Sequence, residues 1–165
     1  MDDQDDRGYS RAPELEDLVS LCKALNAEGV RYVLVGGFAV ILHGFVRATK
    51  DIDLLVDPST ENIHRLKRAM ATLPDNAIDL IDDDEVDRYG VERVADEIVV
   101  DLMKSACGIG YEEAVRHIDV RTVEGVPIPV ADKALLIRTK DTVRPSDAMD
   151  VRFLRLRIEE DEKQR

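Results

Sequence analysis

Residues 30–57 constrain this chain more than any other stretch. An apolar run, VRYVLV, breaks at Gly36-Gly37, the apolar segment FAVILHG follows, and thirteen residues separate Gly37 from Asp51 in a further run, KDIDLLVD. VRYVLV is β-branched and aliphatic with no helical period, and it is short enough for a buried strand. FAVILHG reads as a short buried helix. In KDIDLLVD, strict alternation puts Ile52, Leu54 and Val56 on one face of a strand and Asp51, Asp53 and Leu55 on the other.

Aspartate supplies 22 of the 165 residues, so about three Asp-x-Asp pairs are expected by chance. Asp3-x-Asp5 and Asp82-x-Asp84 lie in polar surroundings, whereas Asp51-x-Asp53 sits on an apolar strand that follows a glycine pair at a strand-to-helix junction. Two glycines there let a phosphate approach the backbone, and a helix start offers free N–H groups and partial positive charge. Carboxylates at i and i+2 of a strand point to the same side, where they can share Mg²⁺, a hard cation that prefers oxygen ligands. Asp101, in the apolar run IVVDLM, is the candidate third carboxylate of a two-metal site, because an unpaired charge there would be costly.

The remaining pattern is that of one α/β (α+β) domain. Leu15, Leu18, Val19, Cys22 and Leu25 predict a helix that Gly29 ends, and Ile63, Leu66, Met70 and Leu73 predict a second, opened by Pro58-Ser59-Thr60. Asp75 to Tyr89 reads as one or two helical turns, GVERVADEIVVDLMKS as a hairpin, YEEAVRHI as a short helix, and DVRTVEGVPIPV as a hairpin turning at Glu124-Gly125. The C-terminal part predicts a helical pair divided at Arg144-Pro145, with Ser146 capping the second helix. The expected architecture is a mixed, twisted sheet flanked by helices, with residues 11–160 as the domain, 1–10 as a disordered acidic tail and 161–165 as a second tail.

Charge initially opposes a phosphate ligand, since the formal net charge is -12. Three acidic runs, Asp2–Asp6, Asp82–Asp87 and Glu159–Glu162, carry 13 of the 35 acidic side chains, and the rest of the chain is near neutral. Lys133–Arg157 is basic, with seven Lys or Arg against three Asp. The acidity still argues against tight binding of long nucleic acid, and with no Trp there is little aromatic surface for stacking bases. Cys22 and Cys107 lack CxxC spacing and read as small buried apolar residues. With no apolar stretch of membrane-spanning length and an acidic start unlike a targeting peptide, the expectation is a cytoplasmic protein away from the membrane. His43 reads as a packed or surface residue, and His64 and His117 as helix-surface residues.

The stretch GGFAVILHGFVRATKDIDLLVD resembles the signature of the nucleotidyltransferase superfamily, the DNA polymerase β-like fold. Its Gly-Gly variant is typical of abortive-infection toxin-type (AbiEii-like) and related small bacterial nucleotidyltransferases. The segment VPIPVADKALLIRTKDTVRPSDAMDV is similar to the closing part of that group, although Val143-Arg144-Pro145-Ser146-Asp147 lacks the lysine of its usual closing motif. The resemblance implies that Gly36 and Gly37 hold a nucleoside triphosphate, that Asp51, Asp53 and Asp101 are the catalytic, Mg²⁺-binding acids, that Arg47 and Thr49 flank the metal site, and that Lys140 approaches the triphosphate. It implies transfer of a nucleoside monophosphate to a hydroxyl of RNA, protein or a small molecule, with pyrophosphate released. Small size and a missing serine at position 37 motivate the alternative: a nucleotide-binding sensor or a toxin–antitoxin-type partner of another protein, without turnover.

Overall fold

The computed structural model of the chain describes residues 10–165. The acidic segment 1–9, and with it nearly all of the tail expected over 1–10, lies outside the described residues. In chain order the elements are α1 (Leu15–Ala27), β1 (Tyr32–Val35), α2 (Gly36–Leu42), β2 (Asp51–Val56), α3 (Thr60–Met70), a 3-10 turn (Ala77–Leu80) and α4 (Glu85–Tyr89). These are followed by β3 (Val91–Ala95), β4 (Val99–Met103), the short strands β5 (Ser105–Ala106) and β6 (Ile109–Gly110), α5 (Tyr111–Ala114), β7 (Ile118–Val123), β8 (Val126–Ala131), α6 (Lys133–Thr139) and α7 (Pro145–Lys163).

Six strands form one mixed sheet in the order β3-β4-β2-β1-β8-β7, and β5 and β6 form a separate ribbon. β1 pairs antiparallel with β2 and parallel with β8, whereas β2 pairs parallel with β4. All four residues of β1 are buried, as an apolar run without alternation requires. In β2 the alternation holds: Ile52, Leu54 and Val56 are fully buried, while Asp51 and Asp53 are partly exposed on the opposite face. Val100 and Leu102 of β4 lie in register with Ile52 and Leu54, and extend the same apolar face into the core.

Helices cover the sheet and aim its functional edge. The 13 residues of α1 bury Leu18, Val19, Leu21, Cys22 and Leu25, and the helix packs on α3 and β8. Ser59 caps α3 by accepting the Asn62 N–H. The hairpin at Glu124-Gly125 has both residues at positive φ, 51° and 80°, as a two-residue turn between twisted strands demands. Asp132 caps α6, its carboxylate accepting the Leu135 N–H at 2.8 Å.

Several expectations change in detail. α7 starts at Pro145 with Arg144 as its N-cap, so Ser146 lies inside the first turn instead of capping it, and proline occupies the position where a missing N–H costs nothing. α7 runs on through Lys163. Cys22 is buried but Cys107 is exposed, because it sits at φ 47° in the β5–β6 turn, outside the core. The acidic run at 82–87 makes ion pairs: Asp83 meets Lys67 at 2.8 Å and Asp87 meets Lys104 at 2.7 Å. No helix among the described residues is long and apolar enough to cross a membrane.

Candidate active site

The site lies where β1 ends and β2 begins. β1 delivers Gly36-Gly37, which form the first turn of α2, and the antiparallel pairing sets Val35 opposite Asp53. Parallel pairing then sets Asp53 directly opposite Asp101 of β4. Directly opposed strand residues point to the same face, so Asp51, Asp53 and Asp101 converge. One carboxylate oxygen from each lies within 4.8 Å of the others. A small cleft of about 150 Å³ joins Asp51 and Asp53 to Gly36, Gly37, Arg47, Thr49, Lys140 and Asp150, and Asp101 stands beside it, opposite Asp53.

The two glycines have a more specific job than leaving room for a phosphate. Gly36 has φ +72°, and a Cβ added to it would fall 2.7 Å from Cγ of Asp53. A Cβ on Gly37 would fall 2.6 Å from Oγ1 of Thr49. Side chains at either position would therefore displace Asp53 or Thr49 before any ligand arrived. Thr49 in turn donates its hydroxyl to the Asp51 carbonyl at 3.3 Å, tying the loop before β2 to the start of that strand.

Three carboxylates in one place cannot all ionise cheaply. Burial, followed by the charges of Asp51 and Asp101, pushes the Asp53 carboxyl up to about 8. Asp51 is also raised, by burial and then by the charge of Asp101. The nearest cation is Arg93 of β3, opposite Asp101 in the antiparallel register. It donates Nε and Nη2 to the two oxygens of Asp101 at 2.9 and 3.0 Å, and Nη2 reaches Asp51 at 3.3 Å. The donor set is all oxygen, two of its members have raised pKa values, and the charge is offset only in part, by Arg93 at Asp51 and by Lys140 at Asp53. These residues fit a hard divalent cation.

A second network lies under the cleft. Lys140 is buried, with Nζ 2.9 Å from Asp150 and 3.4 Å from Asp147. Asp150, 1% exposed, also accepts from Arg47 at 2.5 Å. Asp147 accepts from Thr142 at 2.5 Å and from Arg144 at 2.9 Å. Although burial opposes its ionisation, these donors and Lys140 hold its carboxyl below the usual range. The first turns of α7 thus clamp the end of α6 and the loop before β2 together, and they orient Arg47 and Lys140 at the cleft.

All eight candidate residues of the sequence, Gly36, Gly37, Arg47, Thr49, Asp51, Asp53, Asp101 and Lys140, are brought to this one region. Arg93 and Asp150 were missed. Asp150 carried a signal in its i, i+3 spacing from Asp147 on the buried side of a helix; Arg93, on the exposed edge strand VERVA, carried none. His43 is a packed residue, with Nε2 2.9 Å from the Ala131 carbonyl and Nδ1 facing Arg121 at 3.2 Å. Burial lowers its pKa, so the neutral ring joins α2 to β8.

A strand, a glycine pair opening a helix, and a mixed sheet with three carboxylates on two adjacent parallel strands give the chain a nucleotidyltransferase-like fold. The chain belongs to the family described as nucleotidyltransferase of unknown function (DUF6036), whose profile matches residues 14–153. Its fold is similar to the crystal structure of a candidate nucleotidyltransferase (TM1012) from Thermotoga maritima. The two share 17% identity with a TM-score of 0.54, over 88% of this chain and 92% of that one. No curated protein matches the sequence.

Proposed function

We propose that this protein transfers a nucleoside monophosphate from an NTP to a hydroxyl acceptor and releases pyrophosphate. The observation that carries this reading is the convergence of Asp51, Asp53 and Asp101 beside Gly36-Gly37, set by the register Asp53 to Asp101. Asp51, Asp53 and Asp101 would hold Mg²⁺, which when bound neutralises phosphate charge and favours deprotonation of the attacking hydroxyl. Gly36-Gly37 and the start of α2 receive the phosphates on backbone N–H groups, and Lys140 and Arg47, oriented by Asp150, add positive charge from below. The acceptor oxygen forms a bond to the α-phosphorus as the bond to the β-phosphate oxygen breaks, and pyrophosphate leaves with that electron pair. The hydroxyl proton passes to a carboxylate of the triad or to water. Positioning and charge neutralisation supply the catalysis.

Label from NTPs carrying ³²P at the α-position, supplied with Mg²⁺ and a pool of RNA, protein and small hydroxyl compounds, should appear in an acceptor with equimolar pyrophosphate. Transfer no greater than that of the Asp51→Asn, Asp53→Asn variant sinks the reading. The second reading, a nucleotide-binding module without turnover, is favoured by one observation: Arg93 already spans Asp101 and Asp51. Saturable MgATP binding with no pyrophosphate release would identify it.

A further inference from the structure

Beyond Lys140, the catalytic cleft adjoins a second and larger cavity, of about 850 Å³, bounded by the end of α6, one face of α7 and the β5–β6 ribbon. Such a volume is ample for a ligand of nucleotide size. Ile109, Ile137, Val151 and Leu156 supply apolar wall, and Arg138, Lys140, Arg152 and Arg155 outnumber the single acid, Asp141. This is the basic segment of the sequence folded upon itself, on a chain whose net charge is -12. Two of its cations are committed: Arg138 pairs with Glu113 at 2.7 Å, and Lys140 with Asp150 and Asp147. Arg152 and Arg155 are exposed and form no ion pair with a carboxylate among the described residues. They stand at i and i+3 of α7, which makes them neighbours on one helix face.

We propose that this cavity is the acceptor site and that it takes a small phosphorylated sugar, with the phosphate on Arg152 and Arg155 and the apolar wall against the sugar or an attached base. The inference rests on the nucleotidyl-transfer reading and names the acceptor class for it. In that reading the phosphates of the NTP are served by the triad, the α2 start and Lys140, and the uncharged base and ribose have no use for two guanidinium groups that are unpaired among the described residues. A pair of arginines left over beside a phosphoryl-transfer cleft matches a second anion, carried by a different molecule. Lys140 is the residue common to the walls of the two spaces, so the cavity borders the cleft at the end of α6. The high net negative charge favours a small anion over a polymer. In the step, the sugar hydroxyl oxygen bonds to the α-phosphorus, pyrophosphate leaves, and the hydroxyl proton goes to a triad carboxylate or water.

The exposed Cys107 forms part of the cavity wall, its Sγ 3.3 Å from the Thr139 carbonyl, and gives the wild-type chain its own reporter. Ribose 5-phosphate and a 5′-mononucleotide, the two sources of this chemistry, are each titrated by calorimetry in the presence of saturating MgATP analogue, and alkylation of Cys107 is timed in parallel. The expected result is saturable binding of at least one of them, at least fivefold tighter than inorganic phosphate, and several-fold slower alkylation. Replacing both arginines (Arg152→Gln, Arg155→Gln) should weaken that binding at least tenfold and abolish the protection, while binding of the MgATP analogue stays within twofold of wild type. Absence of binding, equal binding by the double variant, or binding only of a single-stranded RNA decamer would overturn the proposal. Loss of MgATP-analogue binding in the wild-type protein would instead refute the nucleotidyl-transfer reading itself, so the two failures are distinct.

Discussion

Arg93→Gln isolates what the guanidinium does at the triad. Arg93 lies 2.9–3.3 Å from carboxylate oxygens of Asp101 and Asp51, and its side chain is 62% exposed. A divalent cation held by those oxygens at about 2 Å would come within roughly 5 Å of the guanidinium. Because Arg93 is so exposed, water-like screening is appropriate, and at ε near 80 a dication and a unit charge at about 5 Å repel by roughly 1.5 kcal/mol. Removing that repulsion predicts about tenfold tighter metal binding. Arg93→Lys keeps the charge on a mobile stem and should move the affinity by less than about threefold. The assay is Mn²⁺ titration followed by electron paramagnetic resonance at pH 8.5 and low salt, with circular dichroism as the control for folding. A folded Arg93→Gln protein that binds Mn²⁺ no more tightly than wild type refutes the reasoning, and shows that Arg93 serves the metal site by holding Asp101 in place.

Gly36→Ala forces a Cβ onto Asp53 at positive φ, and should cost about 2 kcal/mol, lowering Tm by roughly 4–8 °C and weakening Mn²⁺ binding; an unchanged Tm by calorimetry would mean that Asp53 moves freely. Asp150→Ala leaves Lys140 and Arg47 without their shared carboxylate and should cost about 3 kcal/mol in urea unfolding, against less than about 0.5 kcal/mol for the exposed Met149→Ala. The Asp53 carboxyl is raised from 3.8 to about 8 on folding, so its contribution to stability is full below about pH 3.8 and is lost as pH rises through about 8. The Tm of metal-free protein should accordingly fall between pH 5 and 8.5, less so in Asp53→Asn, and Mg²⁺ should restore more of it at pH 8.5 than at pH 6. A flat profile in chelator would mean that burial does not raise Asp53.

Local pattern alone determined much of this protein. The unalternating run 32–35, the glycine pair, and the alternation over 51–56 specify a strand, a helix and a second strand with its two aspartates on one face, because side-chain direction in a strand depends only on parity. The run around Asp101 marked a third carboxylate, since a charge among apolar residues needs a partner, and the turn at Glu124-Gly125 was readable from residue type. What depends on which strands meet was not readable. That Asp101 stands opposite Asp53 follows from a parallel pairing across 48 positions, and that Arg93 stands opposite Asp101 follows from a hairpin register that one residue of slip would have reversed. Asp150 and Arg47 lie 103 residues apart, and the basic segment 133–157 became a cavity wall only when α6, α7 and an unanticipated two-stranded ribbon came together. Periodicity sets each side chain's direction within its own element, whereas the neighbours across strands and helices, and so the charges that raise Asp51 and Asp53, are set by tertiary packing.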